Sequence, residues 1–237
     1  MINVHFDTRS DAGGRDPDLY SATLRKYHER LWVKSLPDGR ELRIDHDQSK
    51  AYLPVQIGEQ RFLLASDTIV NSNRGRLKPL YEQMGLESNA HFHREGMTVR
   101  GAIVFPGNKV DGRQTINQRR GMHPHICDRI DLTLECIRRH YDGRAETPLS
   151  ETLKMYTDFF KLFGSFTQYV EFFHLEDLVD ESSRIRFFFP FTEFGQNVLP
   201  RTFGEYERYR ANMLEFVEAR GRRIEAWDRA NLSAEGA

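Results

Sequence analysis

The sequence predicts one α+β domain over residues 1–237, with strands mainly in the N-terminal half and helices mainly in the C-terminal half. Short apolar runs bounded by Gly and Pro occupy 51–70 and 97–105, and such runs are typical of strands. In the second half aromatic residues repeat at helical spacing, as in "YTDFFKLFGSF". No repeat, low-complexity tract or linker divides the chain, which favours a single domain.

In the N-terminal half the pattern predicts a helix after Ser21, which is a suitable N-cap for the apolar residues that follow at helical spacing. "LPDGRELRI" predicts a turn into a short strand, and 51–70 predicts two strands joined at Gly58. A short helix ends at Gly85, and the strand at 97–105 follows it.

In the C-terminal half the pattern predicts a helix over 126–141 and then, over 150–179, one or two Phe-rich helices interrupted near Gly164 and Ser165. "RIRFFFPF", at 184–191, predicts a strand. A charged C-terminal helix follows, interrupted at Gly221, and 231–237 are expected to form a frayed tail.

The composition predicts a globular cytoplasmic protein. Hydrophobic residues make up 39% of the chain, which is ample for a core. Lys and Arg number 34 against 35 Asp and Glu, so no overall charge attracts nucleic acid or an anionic membrane. The N-terminus lacks an apolar signal segment, and charged residues interrupt every long apolar stretch. Two cysteines on one predicted helix, Cys127 and Cys136, are too far apart along it to pair and indicate reduced thiols.

A polar segment before the helix at 126–141 is the strongest candidate for a functional site. It reads "TINQRRG" and contains Asn117 and Arg120. Loops on a rigid scaffold commonly bind ligands, and arginines beside a helix N-terminus favour an anion. The predicted ligand is therefore a small anion, a nucleotide or another phosphate, which Arg120 and Arg129 contact and Asn117 orients.

Charged residues on the predicted helix extend this candidate site. At helical spacing Asp128, Asp131, Glu135 and Arg138 share one side. Arg138 would complete the site, and the carboxylates would position the arginines or hold a divalent cation. The alternative interpretation is structural. Acidic residues early and basic residues late suit the helix dipole, and the arginines can pair internally with Asp128 or Asp131.

If the site is catalytic, Asp131, Glu135 and His123 are the candidate acid or base groups. Group transfer or hydrolysis of a phosphorylated substrate is the chemistry that suits such a site. The signatures G-x-x-x-x-G-K-[ST], G-x-S-x-G and H-E-x-x-H are absent from the sequence. The sequence therefore leaves open whether the protein is an enzyme.

Two H-x-H segments, His91 with His93 and His123 with His125, are weak candidates for a transition-metal site. The spacing places two imidazoles on one face of a strand but fixes no third ligand, for which Cys127 is the nearest candidate. We therefore predict no metal site and no cofactor, with a divalent cation at the carboxylates as the alternative.

The pattern "TIN-x-x-RG … DR-x-DLTLECIRR-x-Y" resembles an uncharacterised bacterial family known only as a domain of unknown function. "GGRDPDLYSATLRKYHERLW", "FLLASDTI" and "YTDFFKLFGSFTQYVEFF" fit the same resemblance, which spans nearly the whole chain. It implies a cytosolic bacterial protein and carries no activity. The positions of this chain that match the pattern are Asn117, Arg120, Gly121, Asp128, Arg129, Asp131, Glu135 and Arg138.

Two other functions remain open beside the anion site. The chain can be a non-enzymatic interaction or regulatory module, and a homodimer. Its partner surface would then lie on the C-terminal helix, at Tyr206, Tyr209, Met213 and Phe216. Nucleic-acid binding is the weakest alternative because the net charge is balanced. It would use Arg119, Arg120, Arg138 and Arg139.

Overall fold

An antiparallel sheet forms in the N-terminal half of the computed structural model, which describes residues 1–44, 53–143 and 146–235. Within those residues the sheet has four strands in the order β1-β2-β3-β4. They are β1 (Arg43–Ile44), β2 (Leu53–Ile57), β3 (Gln60–Thr68) and β4 (Ala102–Pro106). The first two residues of the predicted segment 51–70 lie outside the described residues.

The hairpin between β2 and β3 follows from its sequence. Gly58 adopts φ 58°, the left-handed conformation that a tight turn needs and that glycine adopts without strain. Alternate residues of β2 are buried, as expected for a strand with one face on the core. In the pairing of β3 with β4, Ser66 lies opposite Val104 and Asp67 lies opposite Ile103.

Helices cover the sheet and fill the C-terminal half, so the predicted α+β class is confirmed. The described helices are α1 (Pro17–Tyr20), α2 (Ala22–Trp32), α3 (Lys78–Gln83), α4 (Leu86–Gly96), α5 (Ile116–Met122), α6 (Ile130–Tyr141), α7 (Ser150–Lys154), α8 (Thr157–Lys161), α9 (Phe166–Phe172) and α10 (Phe203–Glu235). Short 3-10 segments occur at Val99–Gly101 and Glu176–Leu178. The predicted strand at 97–105 therefore begins only at Ala102.

Aromatic residues join the two halves. Phe159 and Phe163 are fully buried, and the ring of Trp32 from α2 packs on Phe173 with 5.3 Å between centroids. Along α10, the apolar residues that the sequence offers as a partner surface face the core instead. This corrects that prediction for Tyr206, Tyr209, Met213 and Phe216, which are all buried.

The long helix α10 corrects a second prediction, because it continues through Gly221 without a break. A Cβ at this position would lie 2.9 Å from Arg100 Cδ, so the glycine lets that side chain pass close to the helix. The helix also includes 231–235 of the predicted tail, while residues 236 and 237 lie outside the described part of the chain. Among the described residues, no helix is both long and apolar enough to cross a membrane.

The helix predicted over 126–141 begins later, at Ile130. Cys127 and Asp128 adopt φ 52° and φ 59°, which an α-helix does not contain. Both cysteines are free and buried. The strand predicted at 184–191 is wrong, since Ile185 makes only an isolated bridge with Val179.

Candidate functional site

The segment that the sequence predicts as a binding loop is largely the helix α5. Thr115 and Gln118 form a reciprocal capping box, in which each side chain bonds the other residue's backbone N–H. This cap fixes the start of α5 and directs two of its side chains at β3. Asn117 Nδ2 donates to the Ser66 carbonyl oxygen at 3.3 Å, and Arg120 reaches Asp67.

Arg120, Asp67, Asp128 and Thr133 form a group that we call the Arg120 cluster. Arg120 Nη1 lies 2.6 Å from Asp67 Oδ2 and 2.9 Å from Asp128 Oδ1. Its Nε donates to Thr133 Oγ1 and its Nη2 donates to the Asp128 carbonyl oxygen. The guanidinium is completely buried, whereas the carboxylates of Asp67 and Asp128 are 22% and 20% exposed. Protein atoms therefore enclose the Arg120 guanidinium, whereas the carboxylates of Asp67 and Asp128 reach solvent.

The electrostatics of the Arg120 cluster follow from this geometry. Burial alone would lower the pKa of Arg120, but the charges of Asp128 and Asp67 raise it. Burial raises the pKa of Asp128, and the neighbouring Asp67 charge adds to this, while Arg120 and a hydrogen bond from Asn71 oppose it. Burial and the Asp67 charge thus disfavour the charged form of Asp128.

A second group, the Arg129 cluster, consists of Arg129, Asp131 and two backbone carbonyls. Arg129 meets both carboxylate oxygens of Asp131, and neither side chain has exposed surface. Its remaining donors bond the carbonyl oxygens of Val198 and Phe189, at 2.6 and 2.9 Å. Phe189 lines a groove of about 610 Å³, but the guanidinium meets that segment only through carbonyl oxygens. We interpret the Arg129 cluster as a structural link between α6 and the segment before α10.

A third group lies further along α6. Glu135, which is buried, accepts from Arg138 at 2.8 Å and from Arg139 at 2.7 Å. Hydrogen bonds from these arginines hold the pKa of Glu135 below its usual value, although burial opposes them. Arg138 also bonds Asp142 at 2.9 Å. These are helix-surface pairings at i,i+3 and i,i+4.

The predicted stripe on 126–141 therefore separates into three groups with different partners. Asp128 precedes α6, and its left-handed backbone removes it from the face shared by Asp131 and Glu135. Each carboxylate contacts its own arginine. This matches the internal pairing that the sequence analysis gives as the structural alternative. In the described residues, no three or more His, Cys, Asp or Glu side chains are arranged to hold a metal ion.

The two H-x-H segments lie in different settings. His123 and His125 flank a turn after α5, with ring centroids 5.6 Å apart. Burial, Arg119 and His125 lower the pKa of His123. His91 and His93 lie on the helix α4, so the strand geometry assumed for H-x-H applies to neither pair. His93 Nε2 is 3.0 Å from the Tyr81 hydroxyl.

A cavity of about 220 Å³, which we call the Asp18 cavity, adjoins the Arg120 cluster at Asp67. Residues of α1 and the loop before it, the start of α2, β3, the end of α4 and β4 line this cavity. Its polar lining residues are Thr8, Asp16, Asp18, Ser66, Asp67 and Thr68. Its apolar lining residues include Pro17, Leu24, Met97 and Ala102.

Asp18 is the most unusual residue of this cavity. It is 4% exposed, and its Oδ2 accepts the Ser66 backbone N–H at 2.7 Å. Its Oδ1 has no hydrogen-bond partner among the described residues. His28 Nε2 lies 3.7 Å from that oxygen, which is too long for a hydrogen bond. Buried carboxylate oxygens without a donor are rare because desolvation then has no compensation.

His28 and Ser66 suggest a nucleophile and its base, but the hydrogen bonds indicate otherwise. Trp32 Nε1, which can only donate, bonds His28 Nδ1 at 2.9 Å. The ring proton of His28 therefore sits on Nε2, which donates to Ser66 Oγ at 3.0 Å. In this tautomer His28 holds the Ser66 hydroxyl in place and does not accept its proton.

The site residues predicted from the sequence do not include Asp16, Asp18, His28, Ser66 and Asp67. They lie in "GGRDPDLYSATLRKYHERLW" and "FLLASDTI", both of which carry the family resemblance. The pattern predicts a helix with its N-cap at Ser21 in the first segment and a strand in the second. The available signal was a polar Ser-Asp pair near the end of an apolar strand.

Comparison with known proteins confirms the predicted family. A family model described as "Family of unknown function (DUF6994)" matches residues 2–224. Neither a curated protein nor a solved structure shows significant similarity to the chain.

Proposed function

We propose that this chain, which belongs to the DUF6994 family, binds a small molecule in the Asp18 cavity. The observation that carries the proposal is Asp18, which lines the cavity and whose buried Oδ1 has no donor among the described residues. A ligand whose hydrogen-bond donor reaches this oxygen, which requires a small displacement of the side chains that cover it, would supply the missing partner. Leaving such a group without a hydrogen bond costs about 1–3 kcal/mol or more. Without a ligand, Asp18 would therefore destabilise the folded state.

The Arg120 cluster supports this location. Its cation lies beneath Asp67, one wall of the cavity, and fixes that carboxylate from the side away from solvent. Asn117 fixes Ser66 from the α5 side through the backbone carbonyl, and its own buried Oδ1 has no partner among the described residues. Side chains held in this way form a preorganised wall, as small-molecule sites require.

The anionic ligand predicted from the sequence needs a different geometry. Arg120 and Arg129 have no exposed surface, and aspartates and carbonyl oxygens occupy their donors. The groups that meet solvent around Arg120 are the carboxylates of Asp67 and Asp128. We therefore propose that Arg120 and Asn117 position the site rather than contact its ligand. Group transfer or hydrolysis on a phosphate would require these arginines to become exposed.

The size of the cavity limits the ligand. Sites for drug-sized molecules usually measure about 300–1,000 Å³, whereas this one measures about 220 Å³. A nucleotide would protrude from it. The ligand that fits is a compact molecule with a polar group for Asp18 and an apolar part for Leu24 and Met97.

A thermal-shift screen tests the proposal. The library contains small amines, polyols and carboxylates, and nucleotides with and without Mg²⁺ or Mn²⁺. A ligand at about 100 times its Kd stabilises the folded state by about 2.7 kcal/mol and raises Tm. Ala102→Phe, which fills the cavity from β4, should abolish the shift for every genuine ligand. A shift that survives Ala102→Phe would place the ligand elsewhere, and light scattering on the same samples tests the predicted homodimer.

A further inference from the structure

The side chain of Lys34 lies among aromatic rings, where the segment after α2 meets the ends of α9 and α10. Its Nζ is 4.5 Å from the centroid of the Phe172 ring, 5.1 Å from that of Trp227 and 5.7 Å from that of Trp32. We call these three rings the Lys34 cage. They hold the amine against carbon atoms and displace the water that would otherwise solvate it.

The Lys34 cage lies near the protein surface. Trp32 and Phe172 are buried, but Trp227 and Lys34 itself keep part of their surface exposed. Val33, the chain neighbour of Lys34, is 39% exposed. A small reagent therefore needs only the movement of the side chain of Lys34 or Trp227 to reach the amine.

Lys34 has no counter-charge in direct contact. Among the described residues no carboxylate forms an ion pair with it, and the polar atom beside its Nζ is His174 Nε2, at 3.3 Å. Burial lowers the pKa of His174 to about 2, and the charges of Arg220, Arg223 and a protonated Lys34 add to this. The imidazole is therefore neutral at pH 7 and cannot compensate an ammonium charge.

These surroundings favour the neutral form of Lys34. Burial lowers the pKa of Lys34 from its ordinary 10.5 to about 7, against the charge of Glu176 and with that of Arg220. The rings attract a cation, but this attraction only partly replaces the lost hydration. At pH 7 a substantial fraction of the Lys34 side chains therefore carries a free lone pair, whereas an ordinary lysine is almost fully protonated.

The charged groups near the cage do not remove this effect. Arg220 donates to backbone carbonyl oxygens, and Arg223 bonds the carboxylates of Asp177 and Glu176. Burial lowers the pKa of Arg220 only to about 10, and the hydrogen bond with Asp177 raises that of Arg223, so both stay charged at pH 7. Burial raises the pKa of Glu176, and loss of its charge would favour neutral Lys34 further.

A desolvated lysine with cations nearby is an arrangement by which proteins activate an amine as a nucleophile for carbonyl compounds. The aromatic walls select the reactant. They present carbon atoms, which favour an uncharged molecule with a short alkyl group. An aldehyde combines such a body with an electrophilic carbon.

We infer that Lys34 is an activated amine that forms an imine with a small uncharged aldehyde. The Nζ lone pair attacks the carbonyl carbon, the π electrons of C=O pass to oxygen, and one proton moves from nitrogen to that oxygen. The carbinolamine then loses its hydroxyl group and the second amine proton as water, which leaves a C=N bond at Nζ. No residue of the Asp18 cavity takes part, so this inference is independent of the proposed function.

Reductive alkylation of the full chain with propanal and cyanoborohydride at pH 7 tests the inference. Cyanoborohydride delivers a hydride to the carbon of the protonated imine and leaves a stable propylamine. Peptide mass spectrometry measures the initial rate at each lysine. Lys154 and Lys161, which are exposed and paired with Glu151 and Asp158, are controls within the same sample. We expect Lys34 to react at least about tenfold faster than either.

The pH dependence separates activation from mere accessibility. Above pH 7 the neutral fraction of Lys34 levels off, whereas that of Lys154, whose pKa the hydrogen bond with Glu151 raises, continues to grow. The ratio of the Lys34 rate to the Lys154 rate should therefore fall by at least about tenfold between pH 7 and pH 9. Because both rates come from one sample, any change in the reducing step cancels.

Two variants test the Lys34 cage. Trp227→Ala admits water to the amine and should raise the pKa of Lys34, so the rate ratio at pH 7 falls although access increases. Trp227→Phe keeps an aromatic ring and should retain most of the ratio. A ratio for Trp227→Ala at or above the wild-type value would overturn the role of the cage.

The wild-type chain decides the inference even if a variant does not fold. Alkylation of Lys34 no faster than that of Lys154 and Lys161 at pH 7 would overturn it. A rate ratio that stays constant between pH 7 and pH 9 would overturn it as well, because Lys34 would then titrate like an exposed lysine.

Discussion

The Arg120 and Arg129 clusters place the same residue types in two different settings. Each has a fully buried guanidinium paired with aspartate, and the two arginines are nine residues apart in sequence. In the Arg129 cluster the partner Asp131 has no exposed surface. In the Arg120 cluster the partners Asp67 and Asp128 are about one-fifth exposed, and Asp67 lines a cavity.

The exposure of the carboxylates, and not that of the guanidinium, therefore separates the structural ion pair of Arg129 from the ion pair beside the proposed site. Arg129 and Asp131 satisfy each other and two segments of backbone, which leaves no position for a ligand. Arg120 is equally enclosed, but it holds carboxylates that remain accessible. Substitutions of the aspartates should therefore have different consequences in the two clusters.

The largest expected effect is that of Asp131→Asn. It leaves the buried guanidinium of Arg129 without a counter-charge, and breaking a buried pair in this way costs about 3–5 kcal/mol. Urea denaturation followed by circular dichroism measures the loss, with Asp158→Asn as the control. A loss below about 1 kcal/mol would mean that Arg129 does not depend on Asp131.

Asp128→Asn should have a smaller effect on the same measurement. Arg120 keeps Asp67 and the carbonyl oxygen of residue 128, so its charge remains compensated. We expect a loss of about 1–2 kcal/mol, similar to that of one charged hydrogen bond. Equal losses for Asp128→Asn and Asp131→Asn would remove the contrast between the two clusters.

Arg138→Ala, in the third group on α6, should cost less than about 1 kcal/mol. Arg138 is partly exposed, and Glu135 retains its bond to Arg139 after the substitution. The double variant with Arg139→Ala should cost more than the sum of the single changes, because it leaves buried Glu135 unpaired. Additive losses would show that Glu135 does not need either arginine.

The smallest expected effect is a difference in pH dependence. Burial raises the pKa of Asp128 above its ordinary 3.8, so the folded state keeps this proton to a higher pH than the unfolded chain does. The contribution of Asp128 to stability therefore falls as pH rises from 3.8 through the raised value. Asp128→Asn cannot titrate, so the stability gap between wild type and variant should narrow over this window. A gap that widens with pH would contradict the raised pKa.

Much of the fold could be predicted because the spacing of apolar residues along the sequence indicates which side of a strand or helix is buried. The hairpin at Gly58, the strand that ends at Pro106 and the Phe-rich helices all follow from local pattern. The prediction failed where tertiary contacts decide the backbone. Asp128 adopts a left-handed conformation next to Arg120 and Asn71, and α10 continues through Gly221 at the position where Arg100 packs against it. Neither contact is visible in local spacing.

The candidate site could be predicted only in part for the same reason. The resemblance and the arginine-rich segment indicated Asn117 and Arg120, which contact Ser66 and Asp67, two residues that line the cavity. Asp18 and Asp67 are 49 residues apart in sequence, and both line the cavity because Asp18 on α1 accepts a hydrogen bond from the Ser66 backbone on β3. Sequence spacing within a single element cannot reveal such a pair.

The most direct test of the account is a titration that compares the two clusters in one ¹H–¹⁵N spectrum, with a ligand identified in the thermal-shift screen. The account predicts saturable shifts of the Ser66, Asp67 and Thr68 amides at the cavity. It predicts no shift of the Leu132 and Phe188 amides, which donate to Asp131 in the Arg129 cluster. Saturable shifts at Leu132 and Phe188 with no change at Ser66 would contradict the account.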